Sequence, residues 1–197
     1  MKQTTSIVLA GVGGQGILLA SEICAKAAGF AGFDVKTNEV HGMAQRGGSV
    51  IGQIRYGEEV FSPLISQGEA TVLMSLERIE ALRYADYLAP DGLAVVNSQV
   101  IVPVTVSSGG AVYPENAEEL LRQTFPRLIY LDANRVAMEL GNPKCANVVL
   151  LGALATALHN ISVDIWKDAI RECVKPAFVD LNLRAFGIGA AAGVIDN

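Results

Sequence analysis

The chain opens with a short apolar run, Ile7–Ala10, that reads as a buried strand. Apolar residues then return at helical spacing at Ile17, Leu18, Cys24, Ala28 and Ala31, until Gly32 breaks the pattern. Phe33–Val40 predicts a second strand with Val35, Thr37 and Glu39 on one face. Ser49–Tyr56 alternates well, setting Val50, Gly52, Ile54 and Tyr56 against Ile51, Gln53 and Arg55. Gly57-Glu58-Glu59 predicts a turn and Val60-Phe61 a short return strand, ended by Ser62-Pro63 because proline cannot donate to a ladder. Ala70–Ser75 predicts a buried strand, and Leu76–Leu88 an amphipathic helix with Ile79, Leu82 and Tyr87 inward. Pro90-Asp91-Gly92 punctuates before a buried strand, Leu93–Asn97, that continues loosely towards Val106.

Ser107-Ser108-Gly109-Gly110 is too short for a domain linker. Beyond it the pattern predicts a helix over Glu115–Phe125 with Leu120 and Leu121 buried, then a strand, Leu128–Leu131. A short helix, Ala133–Leu140, is stopped by Gly141-Asn142-Pro143. The last third is helical. Ala146–Leu158 is small and apolar, and Ser162 caps Val163–Val174, whose inward residues are Ile165, Trp166, Ile170 and Cys173. A further helix, Asp180–Phe186, precedes the glycine- and alanine-rich end Gly187–Gly193. Strands alternating with helices predict one α/β domain over residues 1–197, its sheet mostly parallel with helices on both faces. The strand at Ser49–Tyr56 has no helix before it and predicts an antiparallel hairpin at an edge.

Between the first strand and the first helix lies Gly11-Val12-Gly13-Gly14-Gln15-Gly16, in which Gly11, Gly13 and Gly16 have the G-x-G-x-x-G spacing. Strand, glycine turn and helix together make the Rossmann-like context that gives this pattern weight. In that reading Gly11 allows the sharp turn, Gly13 lets a ligand reach the backbone, and Gly16 lets helix and strand pack closely. The amides and dipole at the helix start favour an anion such as a phosphate. The other reading is a tight turn that binds nothing.

Ligands of an open α/β sheet sit outside the carboxyl ends of its strands. The loops beginning at Gly11, Glu39 and Asn97 are therefore expected to converge on one crevice. Glu39 follows the glycine turn at about the distance of a ribose-binding acid. The loop His41-Gly42-Met43-Ala44-Gln45-Arg46-Gly47-Gly48 adds Arg46, and His41 when protonated, which suit a phosphate on a ribose. Coenzyme A and NADP both carry one. A surface ion pair for Arg46 and a loop hydrogen bond for His41 are the structural alternatives. The candidate binding residues are thus Gly11, Val12, Gly13, Gly14, Gln15, Gly16, Glu39, His41, Arg46, Gly47, Gly48 and Asn97.

Composition narrows the classes. Of 197 residues 51% are hydrophobic and 18% charged, which excludes a disordered chain and predicts extensive burial or a partner surface. A net charge of −5 argues against a nucleic-acid binder. An uncharged run, near Cys145–Val163, contains Asn147, His159 and Asn160 and reads as a buried helix and turn, not a membrane span. No stretch has the order of a signal peptide. Three isolated cysteines, Cys24, Cys145 and Cys173, fall short of a four-cysteine iron–sulfur site and fit a reduced, cytoplasmic setting. There is no nucleophile elbow, metal-ligand cluster or paired-carboxylate motif. No catalytic residue is assigned, and the chain reads as a binding or assembly subunit.

The glycine turn with Ile17-Leu18, and Glu39-Val40-His41-Gly42-Met43-Ala44-Gln45-Arg46-Gly47-Gly48-Ser49-Val50, resemble the gamma-type domain of 2-oxoacid:ferredoxin oxidoreductases. The second motif is most similar to the beta subunits of the indolepyruvate enzymes. Ser62-Pro63-Leu64-Ile65, Gly68-Glu69-Ala70 and Asn182 to Phe186 extend the resemblance over nearly the whole chain. It implies a Rossmann-like subunit of an oxidoreductase complex that converts indolepyruvate or another arylpyruvate to an aryl-acetyl-CoA. It implies thiamine diphosphate and [4Fe–4S] clusters on a large alpha subunit, ferredoxin as acceptor, and coenzyme A access through this chain, which alone is inactive. Subunits acting on pyruvate or 2-oxoglutarate, a stand-alone NADP-binding dehydrogenase, and a purely structural subunit gripping a partner segment remain as alternatives.

Overall fold

The computed structural model describes residues 4–39, 48–102 and 113–193. The motif residues His41, Arg46 and Gly47, and the expected continuation of a strand to Val106, lie outside them. Among the described residues the strands are β1 (Thr5–Val12), β2 (Asp34–Glu39), β3 (Ser49–Gly57), β4 (Ala70–Ser75), β5 (Leu88–Asn97) and β6 (Leu128–Leu131). The helices are α1 (Ile17–Phe30), α2 (Arg78–Arg83), α3 (Ala117–Thr124), α4 (Ala133–Glu139), α5 (Ala146–Ala155), α6 (Val163–Cys173) and α7 (Val179–Ala192). None of these helices is long and apolar enough to cross a membrane.

The strands form one sheet in the order β2-β3-β1-β4-β5-β6. From β1 to β6 the pairing is parallel, whereas β3 runs antiparallel to both β1 and β2. The α/β expectation therefore holds, including an antiparallel pair at the edge. Its composition differs in one respect. The partner of β3 is β2, and Val60-Phe61 is not a strand. Val60 is buried, and its amide donates to Asp34 Oδ2 at 2.9 Å, so this segment is held by a side chain rather than a ladder.

Alternate residues of the central strands feed two cores. Ile7, Leu9, Val72, Met74, Leu93 and Val95 face the layer of α1, α5, α6 and α7. Val8, Ala10, Leu73, Ala94 and Val96 face Ile65, Ala81 of α2, and Leu121 of α3. Helix α5 is buried from Ala146 to Leu154, the state expected of a helix apolar all round. It lies between the sheet and α7. Gly152 of α5 and Gly189 of α7 mark the crossing. A methyl group on Gly152 would overlap the Phe186 carbonyl, and one on Gly189 the Val149 carbonyl. This explains why α7 continues past Phe186 to Ala192, where the sequence suggested that a helix ends at Phe186. The glycines allow backbone-to-backbone packing, which outweighs their low helix propensity.

Further expectations are corrected by packing. Strand β5 begins at Leu88 and includes Pro90-Asp91-Gly92. These residues fall within a register shift between the pairs Ala70↔Leu88 and Val72↔Leu93, where proline's missing donor costs nothing to the ladder. The expected helix Leu76–Leu88 is shortened to Arg78–Arg83, followed by a 3-10 turn. Its inward residues are Glu80 and Ala81, while Ile79 and Leu82 are only half-buried. Leu18 of α1 likewise points outward rather than onto the shared apolar face.

Candidate functional site

The glycine turn connects β1 to α1, but its glycines divide the work differently from the expectation. Gly11 is still in β1, paired with Val50. A side chain there would press on Gln15, Ile17 and Leu76, so Gly11 serves close helix–strand packing. The turn itself is made at Gly14 and Gly16, with φ of 99° and 86°. Gly13 donates its N–H to the Gly48 carbonyl at 2.8 Å, so that amide joins the turn to the start of β3. Gly16 presents its carbonyl to Asn147 Nδ2 at 3.0 Å, and a Cβ on Gly16 would lie 2.7 Å from the same nitrogen. Helix α1 has no side-chain cap. Its first-turn amides therefore have no partner within the helix.

Gln15 holds the turn together. Its Oε1 accepts the Val12 amide at 2.7 Å, and its Nε2 donates to the Leu76 carbonyl at 2.9 Å and to Gln99 Oε1 at 3.0 Å. One carboxamide thus ties the end of β1 to the ends of β4 and β5. Asn97, at the end of β5, is fully buried. Its Nδ2 donates to the Leu76 carbonyl at 3.1 Å and to Asn134 Oδ1 at 2.7 Å, while its Oδ1 accepts the Ala133 amide at 3.0 Å. Asn97 therefore does not line the crevice; it supports the wall from behind by orienting Asn134 and holding the first amide of α4.

The segment after β5 is fixed from the other side by Glu77, which is also buried. Glu77 Oε2 caps α2 by accepting the amides of Ile79 and Glu80 at 2.7 and 3.0 Å. Its Oε1 accepts the Ile101 amide at 3.4 Å and the Tyr113 hydroxyl at 2.7 Å. Arg78 donates to the same hydroxyl at 2.9 Å and lies over the Tyr113 ring. Burial pushes the Tyr113 phenol up to about 12, so it stays a neutral donor to Glu77 at physiological pH.

These contacts enclose a crevice of about 650 Å³ at the carboxyl ends of β1, β4 and β5, within the usual size of a small-molecule site. The glycine turn forms its floor, with Gln99, Asn134, Lys144 and Asn147 around it. A smaller hollow of about 270 Å³ lies on the β3 side of the turn, against Val12, Ile17 and Val50. Of the three expected loops, those after β1 and β5 meet at the crevice, and residues 40–47 of the third lie outside the described residues. Glu39 ends β2 and lines a separate hollow with Ser21, Glu22 and Thr37. Gly48 reaches the turn through its carbonyl.

Chemistry by a thiol of this chain is disfavoured. Burial pushes the Cys24 thiol far up and that of Cys145 up as well. Burial, helped by the Glu22 carboxylate, pushes Cys173 up to about 11. All three are thiols rather than nucleophilic thiolates at neutral pH. Among the described residues no group of three or more His, Cys, Asp or Glu is placed to hold a metal ion.

Lys144 and Asn134 were not singled out from the sequence, because they meet Gln99 only through the fold. Asn147 did carry a signal, as a polar residue within an otherwise apolar helix.

The chain is 44% identical over 191 residues, 95% of either chain, to the indolepyruvate oxidoreductase subunit IorB of Thermococcus kodakarensis. The fold is similar to the gamma subunit of a keto/oxoacid ferredoxin oxidoreductase from Geobacter sulfurreducens, with a TM-score of 0.74 and 22% identity over 97% of each chain. It is also similar to the 2-oxoglutarate:ferredoxin oxidoreductase of Magnetococcus marinus, solved with 2-oxoglutarate, coenzyme A and succinyl-CoA bound. There the TM-score is 0.71 and the identity 25%, over 98% of this chain and 31% of that one. Residues 6–192 match the model of the pyruvate ferredoxin/flavodoxin oxidoreductase family, and the chain belongs to that family.

Proposed function

We propose that this chain is the non-thiamine-binding subunit of an indolepyruvate or arylpyruvate:ferredoxin oxidoreductase, and that its crevice admits coenzyme A. The observation that carries the substrate class is the 44% identity to an indolepyruvate oxidoreductase subunit along 95% of both chains. In this reading a large alpha subunit holds thiamine diphosphate and the [4Fe–4S] clusters, and ferredoxin takes the electrons. Those groups supply the decarboxylation and the electron transfer. The residues of this chain bind and orient. The glycine turn lets the ligand approach the backbone, Gln15 and Asn97 hold the walls, and Glu77 fixes the segment that carries Gln99. Arg46, outside the described residues, takes the 3′-phosphate of coenzyme A.

The reading is tested by purifying the chain alone and together with its large subunit. The complex should reduce an acceptor dye with indolepyruvate in a coenzyme A-dependent way, and the chain alone should not. Turnover by the chain alone would contradict it. A second arm isolates Arg46. A charge-assisted hydrogen bond contributes roughly 1.5–3 kcal/mol, so Arg46→Ala should weaken coenzyme A use about 10- to 100-fold. With dephospho-coenzyme A the loss should shrink sharply, because the partner group is absent. Equal losses with both would mean that Arg46 positions the loop or an interface.

A further inference from the structure

The sheet is open at β2. That strand pairs with β3 alone, so among the described residues one side of its backbone has no ladder. Beside this edge runs the outer flank of α1, where Leu18, Glu22, Ala25 and Gly29 recur at helical spacing. Two hollows lie between that flank and β2, of about 430 and 540 Å³, and Glu22 and Ala25 line both. They therefore make one furrow along α1. Its walls are apolar at Leu18, Phe30, Phe33 and Val35, and Leu18 and Phe30 are 39% and 50% exposed. Gly29 opens onto free space, since a Cβ there would meet nothing within 4 Å. The furrow is lined by three carboxylates, Glu22, Asp34 and Glu39, and one cation, Lys26. Lys26 is engaged by Glu172 of α6 at 3.4 Å, and Asp34 by Lys36. Glu22, in the middle, makes no hydrogen bond or ion pair among the described residues, although Lys26 stands at i+4, the order that favours a pair. A partner for this furrow must bring apolar side chains with a positive charge between them.

We propose that this furrow docks the large subunit, which lays an extended segment beside β2 as a further strand of the sheet. Side chains alternate along a strand, so every second one of that segment faces α1. A lysine or arginine among them meets Glu22, and apolar neighbours on the same face fill the hollows to either side. The added strand gains main-chain bonds, and the hollows select its side chains. An edge lysine commonly deters such pairing, but Lys36 lies opposite Arg55 on the other face of the sheet and is held by Asp34. A second copy of the chain is the poorer occupant, since it would set the same three carboxylates against their own kind. The furrow also leads to the chemistry. Leu18 lines the hollow beside the glycine turn as well, so a subunit seated along α1 reaches that turn. The proposal rests on the reading that the reacting groups belong to a large subunit, which must therefore come to the turn.

Two variants block the furrow without touching the interior. Gly29→Leu fills it, and because the new side chain meets nothing, the isolated variant should melt at or above the native temperature. Glu22→Lys reverses the charge at its centre. With the large subunit immobilised, each should bind at least about 10-fold more weakly than the native chain, the second because a desolvated charge would face one of its own sign. Glu22→Gln should lose less, and its binding should fall less steeply with added salt than the native binding does. In the native complex the amides of Asp34–Glu39 should exchange more slowly than in the isolated chain, as an added strand requires. Native-strength binding by both Gly29→Leu and Glu22→Lys would overturn the proposal. So would β2 amides that exchange equally fast in the chain and in the complex. A native chain that sediments alone as a dimer, and as a monomer when it carries Gly29→Leu, would give the furrow to a second copy and overturn it as well. Failure of the native chain to bind the large subunit at all would reject the underlying reading, and the proposal with it.

Discussion

Gly189→Ala is expected to destabilise the chain by at least about 3 kcal/mol, whereas Gly187→Ala, two residues earlier on the same helix, should stabilise it. Both substitutions gain the helix propensity of alanine, roughly 1 kcal/mol in a helix interior. At Gly187 the new methyl group would meet nothing within 4 Å, so that gain stands. At Gly189 it would overlap the Val149 carbonyl, which is backbone and cannot rotate away. Helices α5 and α7 would have to separate, and α5 is buried against the sheet on its other side. Overpacking of this kind costs about 1–3 kcal/mol, and more where backbone must move. In a chain of this size each kcal/mol shifts the melting temperature by about 2–4 °C, so a fall of at least roughly 6 °C is expected. Circular-dichroism melts of the two variants against the native chain decide the point. Shifts of the same sign would show that the α5–α7 crossing is not backbone-limited.

The second large effect is expected at Asn97. Replacement by alanine leaves the buried Ala133 amide without its acceptor and releases Asn134 Oδ1. A buried donor left unmade costs about 1–3 kcal/mol, and the lost side chain adds a cavity, so the sum is about 3 kcal/mol. Asn97→Asp should be as harmful or worse despite its matching shape. Its second oxygen would face two acceptors, the Leu76 carbonyl and Asn134 Oδ1, where the native Nδ2 donates to both. A carboxylate is costly to bury without a donor. Coenzyme A use should suffer in whatever Asn97→Ala protein folds, because the crevice wall at Asn134 loses its support. Native-like melting of Asn97→Asp would show that these bonds contribute little.

How legible this was in the sequence depended on whether a signal was local. Strands Ala70–Ser75 and Leu128–Leu131 were readable to the residue, being apolar runs bounded by turn residues. The Ser162 cap was readable too, since a serine before an apolar-periodic stretch specifies its own helix start. Pro90-Asp91-Gly92 misled because punctuation is local, whereas the bulge that accommodates it is set by β4. The end of α7 misled because glycine lowers helix propensity locally, while its benefit comes from a helix far away in the chain. The glycine turn was located correctly, but the division of labour among Gly11, Gly13 and Gly16 was not. That division depends on Gly48, Asn147 and Leu76, which no spacing rule connects to the turn. Glu77 gave no signal, since glutamate is a rare helix cap, and its second set of partners lies after β5. The amide pairs Gln15–Gln99 and Asn97–Asn134 are invisible in sequence for the same reason.

Hydrogen exchange of the complex, with and without coenzyme A, measures the central claim directly. Slower exchange is expected on coenzyme A binding in three separated stretches of this chain: the glycine turn and first turn of α1, the segment after β5 that carries Gln99, and the start of α5 with Lys144 before it. The stretch Glu58–Glu69 on the far side of β3 should not change. Protection confined to the large subunit, with all three stretches of this chain unmoved at saturating coenzyme A, would contradict it.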